Sequence, residues 1–280
     1  MPSLPNVDLH CHSNVSDGVL APAAVAKYAH QAGVEVWALT DHDEVGGVGR
    51  ARAAAQALGM RFVAGVEISI TWANETVHIV GLQLDETNPV LLQGLASTRS
   101  GRDARGREMA AQLARAGIPD AYEGALKYVD NPDLMSRTHF ARYLIEIGAA
   151  NNVSEVFRKY LTEGKPGYVP HRWASLTDAV GWIRAAGGIA VVAHPGRYRF
   201  TELQEGALFD EFKQLGGTAI EVVTGSHSLD QHAEYAEKAR RYGFLASRGT
   251  DFHAPGEARL DFAALPPLPG GLKPVWHDWF

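Results

Sequence analysis

Short apolar runs rich in Val, Ile and Leu alternate along the chain with longer stretches in which small apolar residues recur every three or four positions. In the first third, residues 7–12, 34–40, 61–70 and 76–82 read as strands, with helices over 21–32 and 47–58 between them. The last third resumes that rhythm: residues 188–194, 219–223 and 244–250 read as strands, separated by helices near 176–186, 202–215 and 229–242. Strands that alternate with helices predict parallel βα units in an α/β fold. Active residues of such folds sit on loops at the carboxyl ends of the strands.

Between these halves the pattern is helical without strand signals, so an inserted helical subdomain is expected over residues 89–166. Its internal breaks fall at Gly117-Ile118-Pro119, Asn131-Pro132-Asp133 and residues 148–152, where Gly, Pro and Asn favour turns. The predicted division is a discontinuous α/β unit of residues 1–88 and 167–265, the insertion, and a tail of residues 266–280. The segment Pro266-Pro267-Leu268-Pro269-Gly270-Gly271 reads as a connector that lets the Trp-rich tail dock on the rest.

Composition narrows the classes. The 280 residues are 46% hydrophobic, as in an ordinary globular protein, and no stretch approaches the ~20 apolar residues of a membrane span. The N-terminus lacks a basic region followed by an apolar one, so a cytoplasmic protein without a secretory signal is expected. Cys11 is the single cysteine, which excludes an intramolecular disulfide and any multi-cysteine zinc knot. The net charge of −6 argues against a broad nonspecific nucleic-acid surface. Residues 95–165 are slightly basic and the rest acidic, an excess that bound cations would partly neutralise.

His10 and His12 share one face of the first strand, while Cys11 points the other way. Alone, such a pair says little. Yet of twelve histidines, His10, His12, His42, His78, His194 and His253 all fall in or just after a predicted strand, where βα units converge. Asp17, Asp41, Asp43, Glu67 and Asp251 accompany them. Gathering so many ionisable groups is costly unless they hold metal, because an unpaired buried charge is disfavoured by several kcal/mol or more. Individually, Asp17 before Gly18 also reads as a turn acid, His78 as a core histidine, and one of Asp41 and Asp43 as orienting His42.

Taken in order, His10-x-His12, Ser16-Asp17-Gly18, Thr40-Asp41-His42-Asp43, Glu67, His78, His194-Pro195 and Asp251-x-His253 resemble the motifs of the PHP (polymerase and histidinol phosphatase) family over nearly the whole chain. The resemblance implies a distorted (β/α)7 TIM-like barrel carrying the inserted helical subdomain. It also implies a site for three divalent ions, manganese first, with iron or zinc as alternatives. The implied ligands are His10, His12, Asp17, His42, Glu67, His78, His194, Asp251 and His253, with Glu67 bridging two ions. Glu67, His194 and Asp251 are the residues expected closest to catalysis, in which a hydroxide bridging two ions attacks phosphorus in line.

Phosphate also needs fixed donors, and Arg suits its oxygens. Arg137, in Ser136-Arg137-Thr138-His139, and Arg197 and Arg199, just beyond His194-Pro195, are the candidates, with Ser136, His139, Lys165 and His171 as further substrate contacts. Arg99, Arg102, Arg105 and Arg107 read instead as a solvated helix face. The run from Ser136 to Arg142 and the later Gly164-Lys165-Pro166-Gly167 are similar to a bacterial branch of the family. That branch includes 3′,5′-nucleoside bisphosphate phosphatases and 5′–3′ exoribonucleases.

A small phosphorylated nucleotide is therefore the expected partner, converted to a 5′-mononucleotide and phosphate. Short 5′-phosphorylated RNA and histidinol phosphate are the alternatives, and a noncatalytic metal-binding module is the alternative of a different class. An amidohydrolase reading lacks a metal-bridging lysine at a strand end. Neither a membrane nor an obligate protein partner is expected.

Overall fold

In the computed structural model, which describes residues 5–129, 131–257 and 260–279, seven strands lie side by side in chain order. The first half runs β1 (Val7–Asp8), α1 (Pro22–Gln31), β2 (Val36–Leu39), α2 (Val48–Ala57), β3 (Arg61–Trp72) and β4 (Glu75–Leu82). Then come α3 (Pro89–Arg99), α4 (Arg102–Arg115), α5 (Ala121–Leu126), α6 (Arg137–Glu146) and α7 (Val153–Val156), the last continued by a π-helical turn, Phe157–Leu161. The second half runs α8 (Leu176–Ala185), β5 (Ile189–Val192), α9 (Glu202–Gln214), β6 (Ala219–Thr224), α10 (Leu229–Tyr242) and β7 (Leu245–Gly249).

The sheet returns on itself. Leu9 N–H donates to the Arg248 carbonyl at 3.0 Å and His12 N–H to that of Phe252 at 2.8 Å, which brings the end of β7 beside the extension of β1 and nearly closes a barrel. The architecture is the α/β barrel expected from the sequence, with one difference in strand direction. β4 is antiparallel to both β3 and β5, whereas the other neighbours are parallel. The cause is local: Ala73 and Asn74, with φ of 48° and 65°, make a two-residue hairpin turn, while a parallel return needs a crossover of a dozen or more residues. His78 consequently lies in the first half of its strand, yet at the same barrel end as the carboxyl ends of the others.

Inward-facing Val7, Leu9, Val36, Val80, Leu82 and Val191 fill the barrel, and Val275 and Trp276 of the tail close its far end. The tail is fixed there because Ala246 accepts from Val275 N–H and donates to the Lys273 carbonyl, both at 2.9 Å. Cys11 points outward, away from its neighbours His10 and His12, and is buried among Trp37, Leu39 and Phe252, with the Trp37 indole N–H donating to its sulfur at 3.0 Å.

Asn88 caps α3, its side chain accepting from Val90 N–H and Leu91 N–H, with Pro89 in the first turn where its missing N–H costs nothing. Leu91 and Leu95 of that helix join the barrel core, and Gly94 lies so close to the Trp182 ring that a Cβ would sit 2.2 Å from it. From Met109 to Leu161, by contrast, the buried side chains form a cluster of their own, centred on Leu113, Phe140 and Leu144. No helix among the described residues is long and apolar enough to cross a membrane. Leu144 is fully buried in this second core, so Leu144→Ala should lower stability by about 2–5 kcal/mol. Urea unfolding followed by two optical probes measures it, and a loss below about 1 kcal/mol would contradict the packing described.

Candidate metal centre and anion cleft

Glu67 is the centre of the site. β3 carries it to the barrel mouth, fully buried, and its Oε2 lies 3.1 Å from His10 Nε2, His12 Nε2 and His42 Nδ1 alike. Its Oε1 lies 2.9 Å from His78 Nδ1 and 3.0 Å from His194 Nε2. Asp251 Oδ1 approaches His12 Nε2 at 3.3 Å, and Asp17 Oδ1 approaches His253 Nε2 at 3.2 Å. Among the described residues, three sets of donor atoms are compact enough to share an ion: His12, Asp17, His42 and His253; His10, His12, Glu67 and Asp251; and His42, Glu67 and His78. The structure thus brings together all nine residues that the sequence singled out as ligands.

The donor set fits divalent metal. His12 Nδ1, Asp17 Oδ1, His42 Nδ1, Glu67 Oε2, His78 Nδ1 and His194 Nδ1 are buried without a hydrogen-bond partner, an arrangement that is expensive unless something else satisfies them. Nitrogen and oxygen donors without thiolate suit manganese, iron or zinc. No lysine lines the cleft among the described residues.

Backbone geometry serves the cluster. Gly18 permits the tight return that presents Asp17, since a Cβ there would lie 2.6 Å from the His12 carbonyl oxygen. His194 (φ 27°) and Asp251 (φ 57°) occupy the left-handed region that side chains other than glycine rarely enter. Asp41 and Asp43, the neighbours of His42, both turn away from the metal positions. Asp41 accepts from Ser13 N–H, Ser13 Oγ and Ser16 Oγ, each at 2.7 Å. Asp43 accepts from Ser69 N–H at 2.8 Å, from Ser69 Oγ at 3.0 Å and from Arg102. Both act as anchors of the loop that carries His42.

The cleft beside the cluster is lined by Arg102, Arg105, Arg137 and Arg197, with Ser136, Thr138, Phe157 and Trp173. Arg102 and Arg105 stack their guanidiniums over Trp173, at 4.3 Å and 5.4 Å from the ring centroid. Burial and then the charges of Arg137 and Arg102 push Arg105 down to about 9. Arg137 is likewise lowered by burial and by Arg197 and Arg102. Among the described residues, apart from ring contacts, Arg105 and Arg137 reach only backbone carbonyls, those of Val169 and Leu161. Such a concentration of like charge is relieved by an anion. Arg197 is half exposed and donates to Asp251 Oδ2 at 2.7 Å.

Next to the cleft is a cavity of 590 Å³ that shares Thr138, Phe157, Arg197, Asp251 and His253 with it and adds Val153, Ser154, Ser226 and Glu257.

Arg199, Lys165, His171 and His139 lie outside the cleft lining. Arg199 and Lys165 are exposed and line neither cavity, since the chain turns outward after Arg197 and Lys165 sits on an open turn. His171 packs its ring edge against Trp173 behind the arginines and is lowered to about 4 by burial, Arg105 and Arg102. His139 is tied at both nitrogens: Nδ1 accepts from Ser136 N–H at 3.0 Å, and Nε2 faces the Ser16 carbonyl at 3.1 Å. Ser136 reaches Asp17 Oδ2 at 3.3 Å. These contacts tie the start of α6 to the Asp17 loop.

Arg102 and Arg105, expected on a solvated face, belong to the cleft instead. The legible signal was helical spacing, because Arg102 lies on the stripe of Gly106, Met109 and Leu113 that α4 buries.

Several comparisons bear on this geometry. A family model described as PHP domain matches residues 8–224. A 3′,5′-nucleoside bisphosphate phosphatase of Chromobacterium violaceum is 50% identical over 98% of this chain and 96% of its own. A 5′-3′ exoribonuclease of Haemophilus influenzae is 41% identical over 97% of this chain and 98% of its own. Among solved structures, one from Chromobacterium violaceum, described as an amidohydrolase with bound sulfate and no metal, superposes with a TM-score of 0.95 at 50% identity, over 98% and 95% of the two chains. A Bifidobacterium adolescentis protein described as a metal-dependent phosphoesterase gives 0.82 at 25% identity, over 98% and 94%.

Protonation of the metal-free cluster is set by its carboxylates. Burial opposes a charge on His12, but Asp251 and Glu67 outweigh it and lift the imidazole to about 10. His194 is held down to about 3 by burial and by Arg197, so it is already neutral. A cation must therefore displace a proton from His12 at neutral pH. Metal affinity should rise as pH climbs from about 6 towards 9, with net proton release. Calorimetry in two buffers of different ionisation enthalpy counts those protons; binding without release at pH near 7 would refute the scheme.

Proposed function

Because this chain belongs to the PHP domain family, we propose that it is a metal-dependent phosphomonoesterase that removes the 3′-phosphate of 3′,5′-nucleoside bisphosphates, leaving a 5′-mononucleotide. One juxtaposition carries this reading: a nine-residue ligand cluster faces, across a single cleft, the guanidiniums of Arg105 and Arg137, which lack carboxylate partners among the described residues. A substrate with one phosphate needs only the cluster. The arginines require a second anion.

The residues that would hold the ions are the three donor sets, with His194 on the same Glu67 carboxylate. We assign them three divalent ions, with manganese preferred over iron or zinc. When bound, such ions supply charge for the phosphoryl oxygens and make water acidic enough to attack near neutral pH. The rest is done by the chain. Arg105 and Arg137 bind the 5′-phosphate, and Arg102, fixed between Asp43 and Trp173, adds positive charge without moving. The 590 Å³ cavity receives the nucleoside, for which Phe157 offers an aromatic face.

Held at both ends, the substrate keeps its 3′-phosphorus at the cluster, which replaces a bimolecular search by a fixed approach. A bond forms from water oxygen to phosphorus and the bond from phosphorus to the 3′-oxygen breaks. Water loses a proton and the 3′-oxygen gains one.

A second reading has support of its own. The same bond is cut when 5′-phosphorylated RNA loses its first nucleotide, and the 41% identical relative bears an exoribonuclease name. Phosphate or nucleotide release with manganese should be measured on adenosine 3′,5′-bisphosphate, a 5′-phosphorylated oligoribonucleotide and histidinol phosphate. Fastest turnover of the bisphosphate is expected. Turnover of histidinol phosphate alone would sink the proposal, and a faster oligonucleotide would transfer it to the second reading.

Arg137→Ala removes a charge-assisted contact of about 1.5–3 kcal/mol. It should lower kcat/KM for the bisphosphate by roughly ten- to hundredfold while leaving a phosphomonoester without a second phosphate nearly unaffected. Equal losses on both substrates would remove Arg137 from the second-phosphate site.

A further inference from the structure

β6 supplies no residue to the three donor sets. Yet in the wholly buried run Ala219–Thr224 it carries a carboxylate, Glu221, that is 1% exposed. A buried carboxylate in a strand is costly, and an apolar side chain would serve the core better. What Glu221 touches explains it. Its Oε1 lies 2.8 Å from His10 Nδ1, and its Oε2 accepts the backbone N–H of His194 at 2.6 Å. One carboxylate therefore holds the ring of a candidate ligand from β1 and the backbone of another from beyond β5.

The strand is shaped for this contact. The β6–β7 register shifts between Glu221 and Val223, so that Glu221 pairs with Ser247 and Val223 with Arg248. An irregularity of this kind bends a strand and re-aims its side chains, and such bulges favour positions beside active sites.

On these contacts we propose that Glu221 is a positioning residue that sets the metal affinity of the cluster. Accepting the Nδ1 proton of His10 fixes the tautomer whose Nε2 lone pair points at Glu67 and Asp251, 3.1 Å and 3.5 Å away. Accepting the His194 N–H holds that residue in its left-handed conformation, with Nε2 on Glu67. Glu221 itself stays behind both residues and touches neither substrate nor ion. The proposal rests on the metal-binding reading above.

The test compares Glu221→Gln with Glu205→Gln in the full chain. Glu205 is a buried carboxylate held by Tyr235 and Lys238, away from the cluster. Manganese affinity is measured by equilibrium dialysis with elemental analysis, and the thermal midpoint of the metal-free proteins by calorimetry.

Glu221→Gln cannot accept both contacts with carboxylate strength, so manganese affinity should fall by about ten- to hundredfold. Glu205→Gln should leave it within about twofold of the parent, whatever happens to its midpoint. If Glu221→Gln does not fold, Glu221→Asp, which keeps the charge but is too short to span both contacts, is judged by the same criterion. Unchanged affinity in the Glu221 variant, or an equal loss in the Glu205 control, overturns the proposal while the metal reading stands. A parent that binds no manganese overturns both.

Discussion

Five imidazoles around one buried carboxylate is the interaction on which the rest of this structure depends. Glu67 is fully buried, and its two oxygens are 2.9–3.1 Å from nitrogens of His10, His12, His42, His78 and His194. In a low-dielectric barrel mouth that assembly is not held by hydrogen bonds alone, because several of its buried atoms, among them Glu67 Oε2 and His42 Nδ1, have no hydrogen-bond partner. Several candidate ligands and their neighbours are locked from behind. Ser13, Ser16, Ser69 and Arg102 occupy the aspartates beside His42, Ser136 reaches Asp17, and Arg197 is paired with Asp251. These bonds keep the donors convergent.

The same constraint gives the helical insertion its place. It has its own apolar core, but it does not sit over the barrel as a separate body. His139 meets the Ser16 carbonyl, Arg102 meets Asp43, and Arg142 lies 3.6 Å from Glu257 beyond β7. These ties join the arginines of the insertion to the loops that bear the candidate ligands. The spacing between the candidate ligands and the arginines is thus set by contacts within the folded chain. The proposed two-phosphate substrate would gain from such pre-positioning, since less ordering remains to be done on binding.

Much of this was legible in the sequence, for reasons that are local. Period two places His10 and His12 together and Cys11 apart; apolar runs bounded by Gly and Pro locate the strands. The reversal of β4 was less legible, because its signal is two residues, Ala73 and Asn74, whose left-handed backbone makes the hairpin. Arg102 and Arg105 read as solvated in the sequence because a charge on a helix is normally solvated. Whether it is buried depends on Trp173, some seventy positions away, which no local pattern reports. His139 and Lys165 illustrate the converse: proximity in sequence to a plausible motif says little about where a side chain is consumed.

The residues that hold the cluster also limit its stability. His194, Asp251 and Asp43 all have positive φ, a conformation that costs a non-glycine residue on the order of 1 kcal/mol or more. Glycine at these places would relieve the backbone, but it would delete the functional side chain. The strain is offset by bonds made only in this conformation: Glu221 to the His194 N–H, Asp251 N–H to the His10 carbonyl at 2.8 Å, and Asp43 N–H to the Glu67 carbonyl at 2.9 Å. Two of these bonds end on another candidate ligand, His10 and Glu67, and the third ends on Glu221, which also holds the His10 ring. The strained backbone at these three positions is therefore held by the same hydrogen bonds that place His10, Glu67 and His194 at the barrel mouth.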